Sequence, residues 1–181
     1  NATITNQIAL RVGTGVAAGV ALQINGAASQ TADLLQIRDS SGTLLNNCDK
    51  DGYMFPFDMG FNLAVGAPAV TGTNLTCVIQ LPRDCKLVEV MLYSKTGPTG
   101  ADLICDVNYH ATDDASATTV WSTQSNRARI VAGAKTGFSN TFNTSVLAKY
   151  GVLTIDLDQV GSTIAGQDIT VTLSFRGKEA R

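Results

Sequence analysis

A single histidine, His110, limits the catalytic options of this 181-residue chain. A Ser-His-Asp triad would have to use it, but no G-x-S-x-G turn that presents a nucleophilic serine accompanies it. His110 is predicted to end a strand beside the loop that begins with Asp113 and Asp114. We interpret it as a solvated loop histidine, so nucleophilic catalysis has no support in the sequence.

Three aspartates are the best candidates for acid–base chemistry. Asp156 and Asp158 share the polar face of one predicted strand, and Asp106 lies on the polar face of another. Glycosidases use two carboxyl groups about 5 to 10 Å apart, and the same oxygens would suit Ca²⁺. The alternation places these groups on solvated faces, where a carboxyl keeps an ordinary pKa. We therefore expect no enzyme activity, no cofactor and no metal.

The four cysteines lack the spacing of a zinc site. Cys48, Cys77, Cys85 and Cys105 form no C-x-x-C pair and have no flanking pair of histidines. We interpret them as reduced thiols that pack as small apolar groups. A bridge between Cys77 and Cys85, which flank a short apolar run, is the alternative.

Three aromatic residues are candidates for contact with a glycan. These are Trp121, Tyr109 and Tyr150, because carbohydrate sites combine an exposed aromatic ring with amide and carboxylate groups, and Trp121 has polar neighbours in the sequence. The alternative for Trp121 is that it closes one end of an apolar core.

Period-2 alternation predicts an all-β protein. The segment Asp168–Phe175 sets Ile169, Val171, Leu173 and Phe175 on one face against threonines and a serine on the other. The same pattern recurs in the segments Val152–Asp158 and Leu103–Tyr109.

The segment Lys86–Ser94 differs because it is apolar on both faces. This pattern is typical of a central strand that is covered on two sides. A neighbouring subunit is one possible source of the second cover.

The chain divides into two predicted domains. Residues 57–181 combine strands with Gly/Pro-rich turns and are predicted to form a jelly-roll-like antiparallel β-sandwich. Residues 1–56 hold only short apolar runs between clusters of small residues, and a segment of this size is marginal on its own. We expect this N-terminal β element to complete its core with other copies of the chain, as a homotrimer.

A run of small residues in this element would let three backbones approach an axis, although an ordinary polar loop explains the run equally well. The residues assigned to the trimer axis and its docking surface are Ala27, Ala28, Ser29, Ala32, Leu34, Leu35 and Ile37.

Composition excludes other classes of partner. The formal net charge is −2, and the pI of about 5.2 gives no basic field for nucleic acid. Apolar stretches are interrupted well before the roughly 20 residues that a transmembrane helix needs. Neither a membrane span nor a signal peptide is expected.

Two segments resemble surface proteins of tailed-bacteriophage virions. The run Asn25–Leu45, followed by Asp49–Gly52, resembles a short element of tail fibres and related proteins, in which it is intertwined in a trimer. The second half is similar to a β-sandwich module of the same class of proteins, through the segments Gly97–Asn108, Gln124–Arg127, Ile130–Gly133 and Ile155–Thr163.

This resemblance implies a structural protein at the virion surface, assembled in the bacterial cytoplasm. The first hypothesis is a homotrimeric decoration or head-fibre protein attached to the capsid, with other virion proteins as partners. The alternative is the receptor-binding tip of a tail fibre, which would recognise a host surface glycan.

Overall fold

The computed structural model describes residues 31–73, 79–112 and 116–178. The chain forms two compact units, Asn1–Asp51 and Gly52–Arg181. Among the described residues, helical structure is confined to one short 3₁₀ turn, Gln124–Asn126, and no helix is long and apolar enough to cross a membrane. The strands are β1 (Leu35–Arg38), β2 (Leu44–Cys48), β3 (Phe55–Pro68), β4 (Ile79–Gln80), β5 (Cys85–Thr96), β6 (Leu103–His110), β7 (Thr118–Thr119), β8 (Arg129–Ile130), β9 (Thr136–Ser139), β10 (Val146–Leu147), β11 (Val152–Gln159) and β12 (Gln167–Gly177).

In the first unit, β1 and β2 form an antiparallel hairpin. Leu35 lies opposite Cys48, and the register shifts beyond Ile37. The loop is held by the Asp39 carboxylate, whose Oδ1 accepts hydrogen bonds from the backbone N–H groups of Ser41 and Thr43 at 2.9 and 2.8 Å. The Ser41 hydroxyl donates to the same oxygen and, with the Thr43 N–H, holds the pKa of Asp39 below its usual value.

In the described part of the second unit, the strands form two five-stranded antiparallel sheets. Sheet 1 has the order β10-β5-β12-β3, and β9 also pairs with β5. Sheet 2 has the order β4-β11-β6-β7, and β8 also pairs with β6. The chain passes repeatedly between the two sheets, as it does in jelly rolls. The predicted all-β sandwich is confirmed, and β3 begins at Phe55, two residues before the predicted start of the sandwich domain.

Inward-facing side chains of both sheets form one core. The alternation predicted for β12 is confirmed, because Ile169, Val171, Leu173 and Phe175 are all buried. The ring of Phe175 stacks on that of Phe57 from β3 at 4.9 Å. Core burial of this kind stabilises the fold by about 1.5 to 3 kcal/mol for each large apolar side chain.

The central strand β5 is covered on one face only within the single chain. Leu87, Val90 and Leu92 point into the core, whereas Met91 and Tyr93 are exposed on the outer face. We expected both faces of β5 to be covered. Within the single chain only the inner face is covered, and the apolar outer face is exposed to solvent.

One glycine lets two strands approach closely. A Cβ atom added to Gly137 of β9 would overlap the backbone carbonyl of Arg129 in β8. Gly60 of β3 is also in a strand, but a Cβ atom added there would meet no other atom within 4 Å. Of these two strand positions, only Gly137 therefore requires glycine for space.

Candidate functional site

Trp121 is a core residue and not a surface platform. It is fully buried, its Nε1–H donates to Ser139 Oγ at 3.2 Å, and its ring packs 5.5 Å from that of Phe142. The prediction that Trp121 contacts a glycan is therefore wrong, because its ring faces the interior. The alternative interpretation, a tryptophan within the core, agrees with this burial.

The other two aromatic candidates differ from each other. Tyr109 is buried, and its hydroxyl accepts a hydrogen bond from the backbone N–H of Ala148 at 3.0 Å, so it too cannot present its ring to a glycan. Tyr150 is 61% exposed, and the Lys149 ammonium lies 4.7 Å from the centre of its ring. Of the three predicted aromatic contacts, only Tyr150 faces solvent.

The best-defined polar site lies on the outer face of sheet 2. Asp106 Oδ1 accepts hydrogen bonds from the Thr119 hydroxyl at 2.6 Å and from the Val107 N–H at 2.8 Å. Its Oδ2 lies 2.7 Å from Arg127 Nη2, and Nη1 of the same guanidinium pairs with Asp158. The 3₁₀ turn just before Arg127 sets the backbone from which its side chain reaches both carboxylates.

The same face holds a third carboxylate. Asp156 lies directly opposite Asp106 across β11 and β6, and its Oδ2 accepts a hydrogen bond from Asn108 Nδ2 at 2.6 Å. We call Asp106, Asp156, Asp158 and Arg127 the aspartate–arginine cluster. Its three carboxylates outnumber its single guanidinium.

The expectation that all three aspartates are solvated is wrong for two of them. Asp106 and Asp156 are buried, and only Asp158 is exposed. The Arg127 guanidinium and the Thr119 hydroxyl lie against Asp106 and shield it from water. Burial raises the pKa of Asp106 above its usual value, although the Thr119 hydrogen bond and the Arg127 charge oppose the rise.

The cluster is arranged for structure more than for catalysis. A general acid must reach its substrate, whereas Asp106 and Asp156 are closed off from solvent and already bonded. In the described part of the chain, no group of three or more His, Cys, Asp or Glu side chains is placed to hold a metal ion. His110 is half-buried at the end of β6, opposite Val152.

The hairpin presents apolar side chains to solvent. Leu35, Ile37, Leu44 and Leu45 are between 40 and 64% exposed. Of the residues assigned to the trimer axis, Ala32, Leu35 and Ile37 are exposed and Leu34 is half-buried. The assigned residues Ala27, Ala28 and Ser29 lie outside the described residues.

A second apolar surface lies on the outer face of sheet 1. Met91 of β5 lies directly opposite Phe138 of β9, and Tyr93 and Val131 extend the same surface. These four side chains line a groove of about 660 Å³, which we call the β5–β9 groove. Each of them is exposed, from 38% for Met91 to 62% for Phe138.

Three of the cysteines are placed as free thiols. Cys85 and Cys105 are buried, and Cys48 is half-buried. Burial, with a smaller effect of the Asp84 charge, raises the pKa of the Cys85 thiol to about 12. Cys77, its proposed bridging partner, lies outside the described residues.

Sequence reasoning missed the role of Arg127. In the sequence it stands out only as part of the module that resembles phage proteins, because nothing nearby links it to Asp106. A lone arginine in a Ser/Asn-rich turn gives no signal that its side chain is mostly buried against two carboxylates.

No protein-family model matches the chain, and no curated protein matches it in sequence. Among solved structures, the chain is similar to one from "Capsid of Ralstonia phage GP4", with 17% identity and a TM-score of 0.44 over 72% of this chain and 89% of that one. It is also similar to one from "Structure of infectious bursal disease virus Gx strain", with 12% identity and a TM-score of 0.22 over 80% of this chain and 42% of that one. Both TM-scores are low, so neither likeness assigns a function.

Proposed function

We propose that this chain is a structural protein of a bacteriophage virion, a homotrimer of the decoration or head-fibre type that attaches to the capsid. It acts by burying surface between its own copies and against other virion proteins, without catalysis. The resemblance of Asn25–Leu45 with Asp49–Gly52, and of the four segments that begin with Gly97–Asn108, to phage surface proteins supports the proposal.

The observation that carries the proposal is the exposed apolar surface of the hairpin. A two-stranded hairpin is marginal in water on its own, and this one leaves four large aliphatic side chains exposed. Burial of apolar surface is worth about 25 cal/mol per Å². Three copies of the hairpin would therefore supply one another with the core that one copy lacks.

The mass of the full-length chain tests the trimer. Light scattering at micromolar concentration should give about three times 18.9 kDa. Ile37→Asp should lower that mass, because a charge cannot be buried at the hairpin contact without a partner. Ser40→Asp, at the exposed loop tip, is the matched control and should leave the mass unchanged. A monomeric wild-type chain would contradict the proposal.

The position in the virion is tested on intact particles. Immunogold labelling with antibody to the purified chain should mark the capsid. Label confined to the tail tip would instead support the receptor-binding alternative. Particles without label would contradict both proposals.

A glycan-binding tail-fibre tip is the second candidate, and the exposed ring of Tyr150 is the observation that favours it. Tyr150 has a φ of 66°, so Tyr150→Asn removes the ring with a residue that tolerates this backbone conformation. Binding of the wild-type chain to host polysaccharide that is lost in this variant would favour the candidate.

The absence of catalysis has its own test. Host surface polysaccharide incubated with the chain should keep its length. Reducing ends that accumulate with the wild-type chain, and not with Asp156→Asn, would contradict a purely structural role.

A further inference from the structure

The β5–β9 groove joins an apolar surface to two opposite charges. Glu89 and Arg129 line the groove beside Met91 and Phe138. In the described part of the chain, neither charged group has an ion-pair partner within 4 Å, although ion pairs form elsewhere on the sandwich. The groove therefore offers one free carboxylate and one free guanidinium together with exposed apolar side chains.

Because it carries both a carboxylate and a guanidinium, the groove is complementary in charge to the same groove on another copy of the chain. When copies of the chain surround a symmetry axis, every copy presents the same carboxylate and the same guanidinium to its neighbours. A ring in which Glu89 of each copy meets Arg129 of the next leaves neither charge unpaired. A small apolar ligand would fill the groove and leave both charges without a partner.

The sequence pattern of β5 agrees with a protein partner that covers the outer face of this strand. The β5 segment is apolar on both faces, yet its outer face lies open in the single chain. Exposed apolar patches with a polar rim mark contact surfaces in soluble proteins. Aromatic residues, methionine and arginine are enriched at such contacts, and Tyr93, Phe138, Met91 and Arg129 all line this one.

We propose that the β5–β9 groove is a contact surface between sandwich units of neighbouring copies of this chain, in which Glu89 of one copy pairs with Arg129 of the next. The inference rests on the proposed homotrimer and gives it a second contact surface, separate from the hairpin. Met91 and Phe138 supply the apolar centre of the contact, and the ion pairs fix its register.

Charge reversal in the full-length chain tests the pairing. Glu89→Arg and Arg129→Glu should each raise the dissociation constant of the trimer by about tenfold or more, because like charges then meet across the contact. The double variant restores opposite charges and should return the constant to within about threefold of the wild-type value. Lys149→Glu, a charge reversal in the loop between β10 and β11 that does not line the groove, is the control and should have no effect. Sedimentation velocity over a dilution series gives the constants.

Two outcomes would overturn the inference and leave the proposed function intact. The first is a trimer that neither single reversal weakens, which would place the contact in the hairpin alone. The second is a wild-type trimer that binds the apolar dye ANS and loses this binding in Phe138→Ser, which would show that the groove is open to ligands. A wild-type chain that is monomeric would contradict the proposed function as well, so the two failures are distinguishable.

Discussion

Asp106 of β6 and Asp156 of β11 lie directly opposite each other in sheet 2, and both are buried. Like charges in this position oppose the pairing of two strands. The aspartate–arginine cluster contains a single cation, Arg127, which pairs with Asp106 and Asp158. Because burial raises the pKa of Asp106, the stability of the sandwich depends on the protonation of this carboxylate.

Stability should fall as the pH rises through the raised pKa of Asp106. The folded chain holds this proton more tightly than the unfolded chain does, because burial penalises the charged form. Protonation of Asp106 contributes its full stabilisation below about pH 3.9, the pKa of an aspartate in the unfolded chain. This contribution is lost as the pH rises through the higher pKa that Asp106 has in the folded chain. Melting temperatures from about pH 4 to pH 7 should therefore decline more steeply in the wild-type chain than in Asp106→Asn. Asp58→Asn, on the exposed face of β3, should keep the wild-type slope, and parallel curves for all three proteins would contradict the prediction.

Removing the cation should destabilise the sandwich strongly. Arg127→Met leaves Asp106 and Asp158 without their shared partner, and loss of one member of a buried ion pair costs about 3 to 5 kcal/mol. The change is measured by denaturant unfolding. Adding Asp106→Asn to this variant should recover part of the loss, because one carboxylate is then neutral. Lys135→Met, which removes an exposed cation, should change stability little, and equal effects of the two single variants would contradict the prediction.

Gly137 should not tolerate a methyl group. In Gly137→Ala, the new Cβ would overlap the Arg129 carbonyl, so β8 and β9 would have to separate. Such overpacking costs about 1 to 3 kcal/mol, which a lower unfolding midpoint would reveal. Gly60→Ala is the matched control, because its Cβ would meet no atom within 4 Å, and a similar loss in both variants would count against the explanation.

The cysteines should differ in reactivity in the folded chain. Cys48 is half-buried and should react first with a thiol reagent, whereas Cys85 and Cys105 are buried and should react only on unfolding. Burial raises the pKa of both slow thiols, which lowers their thiolate fraction. Mass spectrometry after labelling in denaturant without reductant should count four free thiols. A count of two would indicate a disulfide bond.

Alternation in the sequence predicted β6, β11 and β12, but the longest strand, β3, was not predicted. The pattern of β12 identifies its buried face because every second residue is apolar over the strand. The two-residue strands β7, β8 and β10 have no such pattern, because two residues cannot show a period. β8 and β10 depend on pairing with β6 and β5, which are distant in the sequence, whereas β7 pairs with β6, the strand just before it.

The aspartate–arginine cluster was not predictable for a related physical reason. Alternation separates core-facing from outward-facing residues, but it does not show whether the outward face meets water. Asp106 and Asp156 do point away from the core, yet Arg127 and Thr119 lie against Asp106. Only the folded backbone brings these groups together.

The position of β12 has a consequence for how the chain folds during synthesis. This strand lies between β3 and β5 and pairs with both along most of its length. Neither earlier strand can gain this partner before residue 177 has emerged from the ribosome, so sheet 1 cannot close while it is being translated. Long-range pairing of this kind slows folding and leaves the apolar faces of β3 and β5 open to wrong partners in the meantime. Nascent chains of this protein are therefore expected to require protection by chaperones until β12 is complete.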